Sequence, residues 1–332
     1  MRGKRGIILI SIVCALLLAA FGAALGGYRH YAGLLLSQQA AARWRGDSDV
    51  RFSQVSAFRP VGGELAWSDI AEFRYKLESA LTEASVDTDS GVAMWVDACS
   101  ARTKLTVQGE RGSVETAAWG VGGEFFYFHP LQLISGAYIS DSDLSRDGVV
   151  LTRELAWSLF GAADVAGMTV TIAGEPHLVT GVVESESDAA SLAAEGGASA
   201  IYLHLGALYK DTDKVIDCYE LVLADPITGF AAKTVREQFL EGGEIVENSA
   251  RYRLGSMWKM VSNYGRRAMN TSGVLFPYWE NAARYTEDMA ALMLLLAGLA
   301  LILPLVCFGI VVTLGILYLR QQGRRMIKKF RD

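Results

Sequence analysis

Two stretches without a charged side chain, 7–26 and 290–318, limit what this chain can be more than any other feature. At a helical rise of 1.5 Å per residue, the first is just long enough to cross a hydrocarbon core of about 30 Å, and the second is longer than that. Each is read as a helix, because a single crossing segment must satisfy its own backbone N–H and C=O groups. The surplus length of the second predicts tilt, or continuation out of the bilayer as helix. The 332 residues then divide into a short N-terminus (1–6), a first transmembrane helix (7–27), a large polar section with stalk segments (28–289), a second transmembrane helix (290–318) and a basic tail (319–332).

Flanking charge sets the expected orientation. Arg2, Lys4 and Arg5 precede the first helix, and Arg320, Arg324, Arg325, Lys328, Lys329 and Arg331 follow the second. Of 31 basic and 36 acidic residues, these ends take nine bases and one acid (Asp332), leaving the section between them with 22 against 35, a net of −13. Basic ends remain in the cytoplasm. Both termini are therefore expected inside a plasma (inner) membrane, with 28–289 outside it. An acidic exterior argues against a nucleic-acid partner. The first helix is read as retained, although a basic start and small residues at Ala23 and Ala24 also fit a cleaved signal peptide.

The external section alternates helical and strand-like patterns, which places it in the α+β class. Its clearest unit is 147–184. Val149, Val150 and Leu151 form a short apolar run, Thr152 and Glu154 fit a helix start, Leu155, Ala156, Leu159 and Phe160 recur at helical spacing, and Gly161 ends the helix. Val170 and Ile172 alternate with Thr169 and Thr171, Ala173-Gly174-Glu175 makes a turn, and Leu178 to Val183 returns as a second hairpin strand. Ser68 reads as the cap of an amphipathic helix carrying Ile70, Phe73, Leu77 and Leu81. The segments 92–96, 103–107, 200–205 and 216–223 read as strands, and 228–240 as a helix ended by Gly242-Gly243. Residues 185–198 read as a loop or exposed helix, and 28–42 as an outward stalk of the first membrane helix. The aromatic stretch 252–289 is expected to descend to the second, with Trp279 and Tyr285 at headgroup level. Pro304 removes a hydrogen bond inside that helix and marks a candidate hinge.

Residue patterns exclude most chemistry. There is no Gly-x-x-x-x-Gly-Lys-Ser/Thr loop to cradle nucleotide phosphates, so any ATP-driven work needs a separate ATPase. His30, His129, His177 and His204 form no zinc-binding pattern, and there is no Gly-x-Ser-x-Gly elbow. Asp141, Asp143 and Asp147 lack the glycine and final Glu of an EF-hand loop and read as a solvated loop. No catalytic residue, cofactor site or metal site is assigned. Cys14 and Cys307 fall in the membrane segments. Cys99 and Cys218 fall outside, where a disulfide can persist, the alternative being two buried thiols.

The layout resembles the MacB-type ABC-transporter permease, in which a MacB-like periplasmic core domain is joined to an FtsX-like permease region. GGEFFYFHPLQLISGAYI (122–139) resembles the family's aromatic run leading to a glycine. GVVLTRELAWSLFGAADVAGMTV (148–170) resembles its strand, helix and Leu-Phe-Gly stretch, and TIAGEPHLVTGVVE (171–184) its hairpin ending in Val-x-Gly-Val. Two departures stand out: the family's permease has four membrane helices where this chain has two, and Ala137 replaces a frequent arginine. The resemblance implies a two-lobed α+β core carried between the membrane helices. It also implies a permease-like or accessory subunit that couples a separate ABC ATPase to the external domain, together with further permease or membrane-fusion-type subunits or copies of itself. In that role Arg320, Arg324, Arg325, Lys328 and Lys329 would make the cytoplasmic contact. The alternative is a non-transporting surface sensor or adaptor whose external domain binds a peptide or envelope partner.

Overall fold

A computed structural model describes residues 2–60, 65–83, 93–194, 197–208, 216–239, 243–263 and 276–329, with side chains described over 5–262 and 276–321 of these. Val92, Leu240 and Gly242, each at the edge of an expected element, lie outside the described residues. The helices are α1 (Arg2–Gly33), α2 (Ala40–Arg45), α3 (Trp67–Glu83), α4 (Phe125–Phe128), α5 (Arg153–Phe160), α6 (Ala189–Ala193), α7 (Leu205–Leu208), α8 (Phe230–Gln238), α9 (Leu254–Asn263) and α10 (Tyr278–Lys329). The strands are β1 (Phe52–Phe58), β2 (Trp95–Gly109), β3 (Gly112–Gly123), β4 (Leu133–Gly136), β5 (Gly148–Thr152), β6 (Thr169–Ile172), β7 (Glu175–Val183), β8 (Ala200–His204), β9 (Cys218–Ala224) and β10 (Glu244–Glu247).

The ten strands among the described residues join one sheet in the order β10-β1-β9-β2-β3-β8-β5-β7-β4, and β6 bridges β7 back to β2. Two lobes result. One is an open antiparallel sheet, β10-β1-β9-β2. In the other, β2-β3-β8-β5-β7-β6 closes on itself into a six-stranded barrel, with β3–β8 and β5–β7 as its parallel pairs. Closure removes the exposed edges of these strands, and so small a barrel has a solid interior. Val107, Val149, Leu151, Val170, Val179, Ile201 and Leu203 share one buried cluster with Leu155, Ala156 and Leu159 of α5.

The unit 147–184 forms the barrel elements β5, α5, β6 and β7, as its pattern predicts. Gly161 ends α5 in the left-handed region (φ 79°), and Ala173 and Gly174 take positive φ (50° and 84°) in the two-residue hairpin turn. Thr152 stands at the N-cap of α5, yet its hydroxyl donates to the Ala200 carbonyl and Ala200 N–H donates back, so it fastens β5 to β8 and caps nothing. Ser68 is likewise displaced as a cap. The helix begins at Trp67, and Asp69 reaches back to accept from Ala66 N–H, the carboxylate half of a capping box.

The two strands expected at 92–96 and 103–107 are one, β2, shared by both lobes. Val96 to Ala101 are all buried within the open sheet, and the second half alternates in the barrel wall, so the burial pattern changes within one strand. The segment 185–198 contains α6, capped by the Asp188 carboxylate, which accepts from Ala190 and Ser191 N–H. One side of this helix is exposed, with Leu192 at 56%, while on the other Ala190 is buried with Ala282 and Ala283 of α10. Helix α1 does not continue as a stalk to residue 42; it ends at Gly33, and a 3₁₀ turn (Leu36–Gln38) and α2 lead into β1.

Both α1 and α10 are long and apolar enough to cross a membrane. They pack on each other as antiparallel neighbours: Met293 Sδ would lie 3.0 Å from a side chain added at Gly27, and the Cys14 and Cys307 thiols face one another. The second helix is far longer than its charge-free part. α10 runs 52 residues, about 78 Å, as one helix through Pro304.

Candidate functional site at the junction of the helix pair and the sheet

The open sheet has two covered faces. On one, Tyr219 of β9 packs against Phe73 of α3 and Phe239 beyond α8, and Asp97 of β2 takes a two-pronged hydrogen bond from Arg74 of α3. On the other face lie the ends of both membrane helices, and there the sequence of β1 departs from an apolar strand. Gln54 and Ser56 are fully buried on it. Gln54 Nε2 donates to the Ser37 carbonyl and its Oε1 accepts from Ala40 N–H, so one side chain clamps both sides of the turn that follows α1. Ser56 Oγ lies 3.3 Å from Glu220 and 3.1 Å from Asn248, and Asn248 Nδ2 donates to Gln38. Glu220 meets His129 Nε2 at 2.5 Å, with both side chains almost wholly buried. A polar chain therefore runs from His129 through β9 and β1 to the exit of α1. A buried carboxylate with these partners satisfies the rule that interior charge be paired and hydrogen-bonded.

The first turns of α10 belong to the same face. Trp279 is 2% exposed, with its ring 4.7 Å from Trp119, 5.7 Å from Phe125 and 4.3 Å from His129. This corrects the headgroup placement expected for Trp279: the helix starts inside the folded domain, twelve residues before the charge-free segment begins, because its first turns are aromatic and alanine-rich enough to enter a core. Burial pushes the Glu186 carboxyl above its usual range, partly opposed by nearby His129 and by a hydrogen bond with Tyr278 at the start of α10.

The strongest tie is ionic. Arg251, which follows β10, donates to Glu280 at 2.6 Å and to Glu287 at 3.1 Å, and the Arg251 and Glu280 side chains are 2% and 1% exposed. Burial alone would push the guanidinium down, but the two carboxylates outweigh it and hold Arg251 above its ordinary value. Arg284 bonds the other Glu280 oxygen and reaches Glu244 of β10. Glu280, Arg284 and Glu287 thus form one stripe of α10 that grips β10 and the segment after it. Sequence spacing offered one trace of this network, the i, i+4, i+7 positions on a helix, but such a stripe normally marks a solvated face.

The residues singled out from sequence fall elsewhere. Cys99 and Cys218 sit on paired strands but remain free thiols. Cys99 lies opposite Tyr219 and Cys218 opposite Ser100, so the two side chains leave opposite faces of the sheet. Burial pushes both thiols up. Asp143 accepts from Ser140 N–H and Asp147 from Ser145, both local turn bonds, while Asp141 accepts from Gly123 N–H at the end of β3, 18 residues away in sequence. His204 is buried, and its Nε2, 3.7 Å from Asp143, has no hydrogen-bond partner among the described residues. Pro304 is buried within α10, and Arg320 lies near its end; Arg324, Arg325, Lys328 and Lys329 extend the same helix, with side chains outside the described ones. Among the described residues no three His, Cys, Asp or Glu side chains gather as a metal site.

A closed barrel fused to an open sheet, with two apolar helices fastened to one face of that sheet, defines a membrane-anchored α+β domain. The chain belongs to the MacB-like periplasmic core domain family, whose model matches residues 7–238. That family is a component of ABC transporters of the permease type rather than a classical enzyme. Solved structures similar to it include the following three. The periplasmic region of MacB from Actinobacillus actinomycetemcomitans shares 13% identity at a TM-score of 0.41, over 63% of this chain and 92% of that one. The extracellular domain of the noncanonic ABC-type transporter YknZ from Gram-positive bacteria shares 16% at 0.40, over 59% and 100%. A domain of a permease protein from Porphyromonas gingivalis shares 15% at 0.32, over 59% and 86%. No curated relative matches the chain.

Proposed function

We propose that the chain is a permease-like subunit that passes ATP-driven movement of its membrane helices to the external domain. A separate cytoplasmic ABC ATPase supplies the energy, and further permease or membrane-fusion-type subunits, or copies of this chain, complete the assembly. The observation that carries this reading is the continuity of α10: one helix holds the charge-free span and also Trp279 and Glu280, both buried in the domain. A continuous helix transmits rigid-body movement, whereas a flexible linker would dissipate it. In this reading the termini are cytoplasmic, as the positive-inside rule requires, and 28–289 lies outside. Pro304 serves as the bending point, since its ring removes one hydrogen bond of the helix. Arg320, Arg324, Arg325, Lys328 and Lys329 present the basic contact to the ATPase. The test is purification of the tagged full chain from native membranes in mild detergent. An ABC ATPase is expected to copurify and to be lost when the five basic residues are replaced by Gln. Recovery of the chain with no ATPase would overturn the reading.

A further inference from the structure

The contacts between α1 and α10 fix where a bilayer would sit on them. Gly27 lies against Met293, and Cys14 faces Cys307. Residue numbers of facing positions therefore sum to roughly 320 in both places, so Ile7 lies near the level of Leu314. The band in which both helices are free of charge runs from the level of Gly27 and Met293 to the level of Ile7 and Leu314. That is roughly 21 residues, or about 31 Å, the thickness of a hydrocarbon core. The wall of this band exposes large apolar side chains, including Leu9, Leu16, Leu299, Leu305 and Phe308.

Helix α9 lies at the upper rim of this band. Met257 and Met260 are buried with Ala290 and Ala291, and Tyr28, Tyr31, Val261 and Leu294 pack against the same cluster. The hydroxyl of Tyr28 donates to the Tyr252 carbonyl just before the helix. These contacts use one side of α9. On another side Leu254 and Trp258, one helical turn apart, are 63% and 66% exposed. In a soluble helix that would be an unexplained apolar pair. Here it continues the lipid-facing surface of the helix pair at the level where the charge-free band ends, with Arg29, Arg253 and Lys259 exposed beside it.

We propose that α9 is an interfacial helix that seats Leu254 and Trp258 among the headgroups and first acyl carbons of the leaflet on the domain's side. Indole favours that level because its ring is apolar and its N–H still finds polar partners. An amphipathic helix lying at this depth buries its apolar side in the headgroup–acyl boundary. It would hold the base of the domain against the bilayer surface beside the moving helices. The inference rests on the reading that α1 and α10 span the membrane.

Trp258 is a built-in reporter. The full chain would be reconstituted in phosphatidylcholine vesicles whose acyl chains carry bromine near either the carbonyl end or the methyl end. The part of the tryptophan emission lost in Trp258→Phe is then compared between lipids. It should be quenched several-fold more by carbonyl-end than by methyl-end bromine. A mid-span reporter, Leu305→Trp in the Trp258→Phe background, should show the reverse order, because Leu305 is exposed in the middle of the band. If the mid-span reporter is quenched and the Trp258 component is not, the interfacial helix is refuted while the spanning helices stand. If neither is quenched, the spanning reading falls and the inference with it. Methyl-end quenching of Trp258 exceeding carbonyl-end quenching would place α9 too deep and also refute it.

Discussion

Replacing Arg251 with Met tests the junction directly. The guanidinium is buried, and its two carboxylate partners are nearly so, at 1% and 11% side-chain exposure. Removing one member of a buried ion pair costs about 3–5 kcal/mol, chiefly because the remaining charge is left without a partner. Glu280 keeps its bond to Arg284 in the variant, so the lower end applies, about 3 kcal/mol. For a domain of this size each kcal/mol lowers Tm by about 2–4 °C, which gives a drop of about 6–12 °C. The assay is thermal unfolding of the detergent-solubilised full chain, followed by near-UV circular dichroism, where the cluster around Trp279 supplies signal. Lys76→Met is the control, because its pair with Glu72 is 47% and 66% exposed and solvent screens it. Adding Glu280→Gln and Glu287→Gln to Arg251→Met should restore part of the lost stability, since the two carboxylates that faced the guanidinium are then neutral. A drop no larger than the control's, or a triple variant no more stable than the single one, would refute the claim that these charges fasten α10 to the domain.

Three other outcomes follow from side-chain placement. Cys99 and Cys218 should resist alkylation in the native protein and react only on unfolding, with no shift between reduced and non-reduced samples, because both are buried on opposite faces. Cys14 and Cys307 should crosslink within one chain under mild oxidation in membranes, and Cys14→Ser should abolish the product; intermolecular dimers alone would contradict the helix pairing. Burial holds the His204 imidazole below its ordinary value of 6.5 despite Asp143 nearby, so the unfolded chain binds the extra proton first. Stability contributed by neutral His204 is present above about pH 6.5 and is lost as pH falls below it, and His204→Asn should flatten Tm over that window.

What could be read from sequence follows the range of the interactions concerned. The unit from β5 to β7 was legible because each signal is local: an apolar run, helical spacing, a left-handed Gly161 and a two-residue turn at Gly174. β3 left no such signal. Its GSVETAAWGVGG is poor in β-branched residues, and it is a strand because the turn at Glu110-Arg111 folds it along β2 from Gly109 back to Ala98. The junction was hidden for the same reason on a larger scale. His129 and Glu220 are 91 residues apart, and Arg251 lies 29 and 36 from its two partners. Each of these charges alone reads as surface, and only the fold shows that the surface is interior. Trp279 misled in the opposite direction: an aromatic residue ahead of a membrane span usually marks the headgroup level, but here the helix enters the core first.

The placement of these ties bears on how movement of the proposed kind would spread. The exit of α1 is clamped to β1 through Gln54, and α10 is bonded to neighbouring β10 through Arg284 and Glu244. The two membrane helices therefore grip adjacent strands at one edge of the open lobe. α10 also meets the barrel wall directly, through Tyr278 and Trp279 against Trp119 of β3. Displacement at that edge reaches the barrel across β9 into β2, which runs 15 residues, about 50 Å, from the open sheet into the barrel wall. The paired strands β2 and β3 form a two-stranded beam held at both ends, and Gly109 and Gly112 at its tip lie beside α5 of the barrel, where Leu159 approaches Gly109 so closely that a Cβ would be 2.7 Å from it. Larger residues at Gly109 should therefore push α5 off the tip of the beam without disturbing Arg251 or Gln54, which separates transmission within the domain from attachment of the helices to it.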